Sequence, residues 1–288
     1  MKLEFREYLA RKIIKVHKHV DGPWFWGKYT AHPYVGCRSG CDFCYLRGSR
    51  YLGRRDPARF DTLIQVKTNA VELLRVELPR LAHEVISVGD WQQPAEDRFR
   101  LSRGMLEVVC DLGFPLFIVE RSPLLTCDLD LLVEINRRAW VGVLFSISNL
   151  NPTLKAAFEP RSPGVKRRLA AMEALASAGI LVGTSMMPII PGVGDDERHL
   201  EDVVRATKDH GGTCVLAGGL TAENVASMLQ DVRNKDVGPA GEPGGDQHRG
   251  LVVRGRRLEE PHPARGTGLA PRCRLLRRGR PVDPGRPG

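Results

Sequence analysis

An α/β fold built on a parallel sheet is the class this sequence predicts, and three observations predict it. Six short apolar runs alternate with six longer helical patterns. Glycine and proline punctuate the joins between them. The length of 288 residues suits one large core, as in an α/β barrel. Such alternation implies parallel strands joined by right-handed crossovers, in an open barrel or a doubly wound sheet.

The first strand is read at residues 30–35, ahead of a cysteine-rich loop, with the first helix at 67–81. A second strand at 84–88 leads to a helix at 102–112, closed by Gly113 as a left-handed cap before Pro115. The third strand, 116–119, precedes a helix at 129–137. The fourth, 141–147, leads to an alanine-rich helix at 165–178, capped in the same way by Gly179. Strands at 181–187 and 214–216 carry the last two helices, 197–209 and 222–231. Residues 1–29 are read as an N-terminal extension, 30–232 as the core domain and 233–288 as an Arg-, Gly- and Pro-rich tail.

The net charge of +9 points towards nucleic acid until its distribution is considered. Residues 233–288 hold 13 Lys and Arg against 6 Asp and Glu, whereas residues 1–232 hold 30 against 28. From residue 238 onwards there are 11 Gly and 8 Pro, and no aromatic residue follows Phe158. A segment of that composition cannot offset its ordering entropy by burial, so a disordered basic tail is expected. It could grip phosphate by charge or be merely solvated, and it has no rings on which bases could stack. The start of the chain lacks the pattern of a secretory leader, and no apolar stretch is long enough to cross a bilayer. A cytoplasmic protein without membrane contact is expected. Seven cysteines without a secretory leader suit metal or redox use better than a disulfide framework.

The segment GCRSGCDFCYL, residues 36–46, places Cys37, Cys41 and Cys44 on one loop after the first strand. That is the end of a parallel sheet where ligands bind. A structural zinc site wants four donors, commonly as two separated pairs. Here there is one cluster of three, with His32 and Asp42 as the nearest further donors and neither at second-pair spacing. Three thiolates could instead hold a cubane iron–sulfur cluster by three irons and leave the fourth open. Cys110, Cys127, Cys214 and Cys273 lack ferredoxin spacing.

The spacing of these cysteines, with Phe43 just before the last, resembles the signature of radical S-adenosyl-L-methionine enzymes. The wider match is similar in order and content to their spore photoproduct lyase-like branch. It comprises HPYVGCRSGCDFCY, ISVGDWQQPAED, VERSP, FSISNLNPTLKAAFEPRSP, AGILVGTSMMPIIPGVGDDE and HGGTCVLAGGLT, over residues 30–221. The resemblance implies a partial (β/α)6 barrel and a 4Fe-4S cluster on Cys37, Cys41 and Cys44. It also implies S-adenosyl-L-methionine bound at the open iron and cleaved by one electron to a 5′-deoxyadenosyl radical. A flavodoxin or ferredoxin would donate that electron.

Further residues are candidates for cofactor binding. Phe43 and Tyr45 flank the last thiol and could shield the nucleotide. Asp90 could accept from the ammonium of the amino acid moiety, or cap the next helix. Arg121 could fork onto the methionyl carboxylate, where the photoproduct lyases have lysine. Ser146 and Ser148 alternate on the fourth strand and could bond the ribose or methionyl group. Glu159 and Arg161 are read as a charged pair that clamps a ligand carboxylate. Val88 and Gly89 stand where the photoproduct lyases carry a hydrogen-returning cysteine, so thymine-dimer repair is not expected. Two readings stand at this stage: a radical enzyme, lyase-like or hydrogen-abstracting, with nucleic acid its leading substrate class, or a zinc-stabilised nucleic-acid-binding protein without catalysis. WFWGKY, residues 24–29, is read as packing over the barrel edge.

Overall fold

The computed structural model describes residues 2–18, 27–222, 224–226 and 228. The predicted tail, the end of the last helix and residues 24–26 lie outside them. In chain order the strands and helices begin with β1 (Glu4–Tyr8), β2 (Ile14–Val16), β3 (Tyr29–Ala31), β4 (Tyr34–Val35), α1 (Ser49–Leu52), β5 (Leu63–Lys67) and α2 (Ala70–Glu77). They continue with β6 (Ile86–Gly89), α3 (Glu96–Phe99), α4 (Leu101–Leu112), β7 (Leu116–Glu120), α5 (Leu129–Arg138) and β8 (Val141–Ser146). The last are α6 (Pro152–Phe158), α7 (Val165–Ser177), β9 (Leu181–Ile189), α8 (Glu197–Asp209) and β10 (Cys214–Gly219).

Strands β3, β6, β7, β8, β9 and β10 pair in parallel with their neighbours in chain order, and β2 adds antiparallel to the β3 edge. Sequential order with no reversal excludes a doubly wound sheet, in which the order turns back at a switch point. The fold is the partial (β/α)6 barrel, its edges formed by β10 and β2 among the described residues. No helix of the described residues is long and apolar enough to cross a membrane.

The expected strand at 30–35 is two strands in two sheets. Pro33 has no N–H for a ladder, so β3 stops before it and β4 starts a three-stranded sheet, β1-β5-β4, beside the barrel. The helix expected at 67–81 likewise starts only at Ala70, because its first residue, Lys67, ends β5. The two glycine caps form as expected, with φ of +67° at Gly113 and +79° at Gly179. Asn151 and Asp196 cap α6 and α8 through their side-chain oxygens. The core packs sheet residues such as Leu116, Val143 and Phe145 against Met105, Leu132, Met172 and Leu175 of the helices. Each such fully buried side chain contributes about 1.5 to 3 kcal/mol.

Candidate active site: a three-cysteine loop tied to the barrel

The cysteine loop leaves β4 through Gly36, whose φ of +95° and close neighbours, the Phe60 and Leu63 carbonyls, admit no side chain. Cys37 and Cys41 are buried and Cys44 is partly buried. The loop is fastened from several directions. Cys37 N–H donates to the Phe60 carbonyl at 3.0 Å, and Asp42 N–H to the Phe158 carbonyl at 3.0 Å. Gln93 donates to the Gly36 carbonyl at 3.1 Å and accepts from Arg38 N–H at 3.2 Å. Asn224 donates to the Phe43 carbonyl at 2.8 Å. Arg161 forms an ion pair with buried Asp61, which lies against Gly40 of the loop. Of the two charged residues read from FEPRSP, Arg161 thus steadies the loop through Asp61.

Glu159 instead sits between two other guanidiniums. Arg168 Nη2 donates to its Oε2 at 2.6 Å, and Arg121 Nη1 lies 2.8 Å from its Oε1, an ion pair without hydrogen-bond alignment. Burial alone would push the Glu159 carboxyl up, but the charges of Arg121 and Arg168 outweigh it and hold it at about 2. Arg121 also stacks its guanidinium 5.6 Å from the centre of the Phe43 ring. Phe43 is buried with Cys41 and Phe158. Tyr45 departs from the expected shielding role. It is 47% exposed, and its ring meets Tyr51 edge-on at 5.3 Å.

Asp90 occupies the left-handed region at φ +57°, rare for a residue with a side chain. It caps no helix, since α3 starts at Glu96 behind Ala95. Its Oδ1 lies 3.7 Å from the Cys37 sulfur, and its carbonyl accepts from Gln93 at 2.9 Å. Ser146 and Ser148 are both buried. The Ser146 carbonyl accepts from Arg168 at 2.7 Å, and the Ser148 hydroxyl donates to the Met187 carbonyl at 3.0 Å. His32 donates from Nδ1 to the Gly89 carbonyl at 3.2 Å.

Burial raises the pKa of all three thiols. Cys37 is driven well above the ordinary thiol range by burial first, then by Asp90 and the other two sulfurs. Burial takes Cys41 to about 12 against the opposing charge of Arg121, and Cys44 to about 11 with Asp90 adding. Among the described residues no three His, Cys, Asp or Glu side chains converge as one metal ion requires.

Arg168 and Glu120 were missed by sequence reasoning, although each carried a signal. Arg168 shares the buried stripe of α7 with Met172 and Leu175 at i+4 and i+7. Glu120 shares the buried face of β7 with Leu116 and Ile118 at period two. Its carboxylate accepts N–H bonds from Gln92, Arg121 and Ser122.

Residues 32–204 match the family model of the radical SAM superfamily. The chain belongs to the radical SAM superfamily. It is 32% identical over 225 residues to uncharacterized protein Mb2609c of Mycobacterium bovis, covering 76% of this chain and 65% of that one. The chain thus spans about two thirds of the length of that relative. Uncharacterized protein MJ0683 of Methanocaldococcus jannaschii is 29% identical over 197 residues, covering 68% and 71%. Among solved structures, a mutant of spore photoproduct lyase superposes with a TM-score of 0.56 at 18% identity, over 78% of this chain and 65% of that one. Another mutant of the same lyase, with bound AdoMet and dinucleoside spore photoproduct, gives the same figures. At this identity the likeness is one of fold. Membership of the radical SAM superfamily implies S-adenosylmethionine and an iron–sulfur cluster.

Proposed function

We propose that this protein is a radical S-adenosylmethionine enzyme in which Cys37, Cys41 and Cys44 hold a 4Fe-4S cluster and the neighbouring loops bind S-adenosylmethionine. One observation carries the reading: three thiols, two buried and one partly buried, sit on one tightly fastened loop, and among the described residues no donors converge as a single ion needs. A zinc ion gathers its ligands around one point, whereas a cubane is gripped at separate irons and leaves one of them open. Nothing supports the zinc-stabilised alternative. The raised thiol pKa values fit the same donor set. Without a bound cation these buried sulfurs keep their protons, and three thiolates persist here only against strong positive charge.

When bound, the cluster and S-adenosylmethionine supply one-electron cleavage of the sulfonium bond to a 5′-deoxyadenosyl radical. The chain's own residues bind, orient and exclude water. Phe43 and Phe158 wall off the Cys41 side. Arg121 offers a cation for the methionyl carboxylate, and Asp90 offers an acceptor for the ammonium. Ser146 and Ser148 line the adjoining strand end. Glu159 acts one step back by holding Arg121, and Arg161 by holding Asp61 beneath the loop.

The fold shared with a lyase that binds AdoMet and a dinucleoside supports S-adenosylmethionine as cofactor and nucleic acid as the leading substrate class. Val88 and Gly89, in place of a hydrogen-returning thiol, argue for a reaction other than thymine-dimer repair. The reaction is then hydrogen abstraction or a lyase step, driven by a flavodoxin- or ferredoxin-type donor. Electron paramagnetic resonance of the iron-loaded, reduced protein tests the reading. Adding S-adenosylmethionine should change the cluster spectrum, and a spectrum unmoved by saturating S-adenosylmethionine would overturn it.

A further inference from the structure

We propose that an arginine-lined cleft on the outer side of the cysteine loop is the docking surface for the one-electron donor, which presents acidic side chains to it. This rests on the radical reading above and adds where the electron enters. The cleft, of about 260 Å³, is lined by Arg6, Arg54, Arg55 and Arg59, with Leu52 and Phe60 at its base. All four arginines are exposed, while Leu52 and Phe60 are buried.

The charge there is poorly neutralised. Asp56 is the one acid of the lining, and its carboxylate accepts Ala58 N–H at 2.9 Å. Glu4 pairs with Arg59 at 2.6 Å, but both side chains are about half exposed, so the pair is weak. Arg55 gives one N–H to the Leu52 carbonyl at 2.9 Å. The side chains of Arg6 and Arg54 make no ion pair or hydrogen bond among the described residues. A positive cleft of this kind raises the encounter rate with an acidic partner and orients it.

The base of the cleft is also the wall of the cysteine site. Leu52 and Phe60 pack directly against Cys37. The Phe60 carbonyl accepts the Cys37 N–H at 3.0 Å, so one residue separates the cleft from a cluster ligand. Cys41, Phe43 and Phe158 form a separate cluster. The proposal brings the electron in from the Cys37 side and leaves the Cys41 side to cofactor and substrate. In the transfer the carrier is oxidised by one electron and the group held by the three cysteines is reduced by one. A nucleic-acid strand suits this cleft less well, because its lining has no exposed ring for base stacking.

Anaerobic calorimetry on the iron-loaded protein, with an acidic flavodoxin as the probe, tests the proposal. The variants are Arg6→Glu with Arg54→Glu, and a charge-matched control, Arg137→Glu with Arg205→Glu, on exposed helix faces. The cleft variant should bind flavodoxin at least about tenfold more weakly and with a shallower salt dependence, while the control binds like the wild type. Both should make 5′-deoxyadenosine normally when dithionite replaces the protein donor. Wild-type flavodoxin affinity in the cleft variant, or no binding by the wild type, would overturn the proposal. So would loss of binding to a single-stranded oligonucleotide with flavodoxin affinity unchanged, which would make nucleic acid the occupant. A wild-type protein that makes no 5′-deoxyadenosine with dithionite would overturn the radical reading, and the flavodoxin titration would still decide the docking site.

Discussion

Arg168 and Glu159 form an ion pair at 2.6 Å with both side chains at most 2% exposed. The same guanidinium donates to the carbonyls of Ser146 and Pro163, at 2.7 and 2.9 Å. One side chain of α7 thus joins the end of β8 to the loop that holds Arg121. Buried pairs matter most when one partner is removed, because the other charge is left without compensation.

Arg168→Met should therefore lower unfolding stability by about 3 kcal/mol, read from urea denaturation of the metal-free protein. Arg137→Met, which breaks a surface pair with Glu134, should leave stability nearly unchanged. Equal effects of the two substitutions would show that Arg168 is not the buried link described here.

How much of this was legible in the sequence depends on whether the signal was local. The five later barrel strands and the helices up to α8 were readable because apolar runs, periodicity and the glycine caps at Gly113 and Gly179 are all local. The small sheet was not, because β1 is short and pairs with β5 across more than fifty residues of chain. The cysteine loop was readable from its spacing. The supports of the loop were harder, since Asp61, Gln93 and Asn224 act through backbone carbonyls or a partner far away in sequence. The separate partners of Glu159 and Arg161 were not legible for a related reason: neighbours in sequence point to different partners when one is buried and the other faces the loop.

Glu120 gives the protein a pH dependence. Burial, with the Asp90 charge adding, pushes its carboxyl up to about 7 from an ordinary 4.5. The native state then holds this proton more tightly than the unfolded chain does. Stability should therefore fall as pH rises from about 4.5 to about 7, by up to roughly 3 kcal/mol. Glu120→Gln cannot ionise, so the difference in unfolding free energy between variant and wild type should grow in the variant's favour across that window. A constant difference between pH 5 and pH 8 would contradict the assignment.

Gly36→Ala should disturb the cysteine loop. A Cβ there would stand 2.7 Å from the Phe60 carbonyl and 2.9 Å from that of Leu63, at a φ of +95°. We expect a loss of about 2 kcal/mol, together with poor iron loading. Gly53→Ala, also at positive φ but with nothing within 4 Å, should cost about 1 kcal/mol and load normally. Indistinguishable iron uptake by the two variants would sink the claim that Gly36 shapes the site.

Arg121→Ala separates binding from bracing. If its guanidinium takes the methionyl carboxylate, S-adenosylmethionine affinity should fall about a hundredfold while iron content is kept. Arg121→Lys should retain part of the affinity, because a point charge remains. Because Arg168 continues to neutralise Glu159, the alanine variant should stay folded. Unchanged affinity in the folded alanine variant would reduce Arg121 to a partner of Glu159.

The central claim is that Cys37, Cys41 and Cys44 carry a cluster that cleaves S-adenosylmethionine. Its most direct test is the yield of 5′-deoxyadenosine from S-adenosylmethionine and dithionite after anaerobic reconstitution with iron and sulfide. The wild type and Cys110→Ala should bind about four irons per chain and form 5′-deoxyadenosine, whereas Cys37→Ala, Cys41→Ala and Cys44→Ala should form none. A wild type that retains one zinc and yields no 5′-deoxyadenosine, or a Cys41→Ala variant as productive as the wild type, would contradict the account.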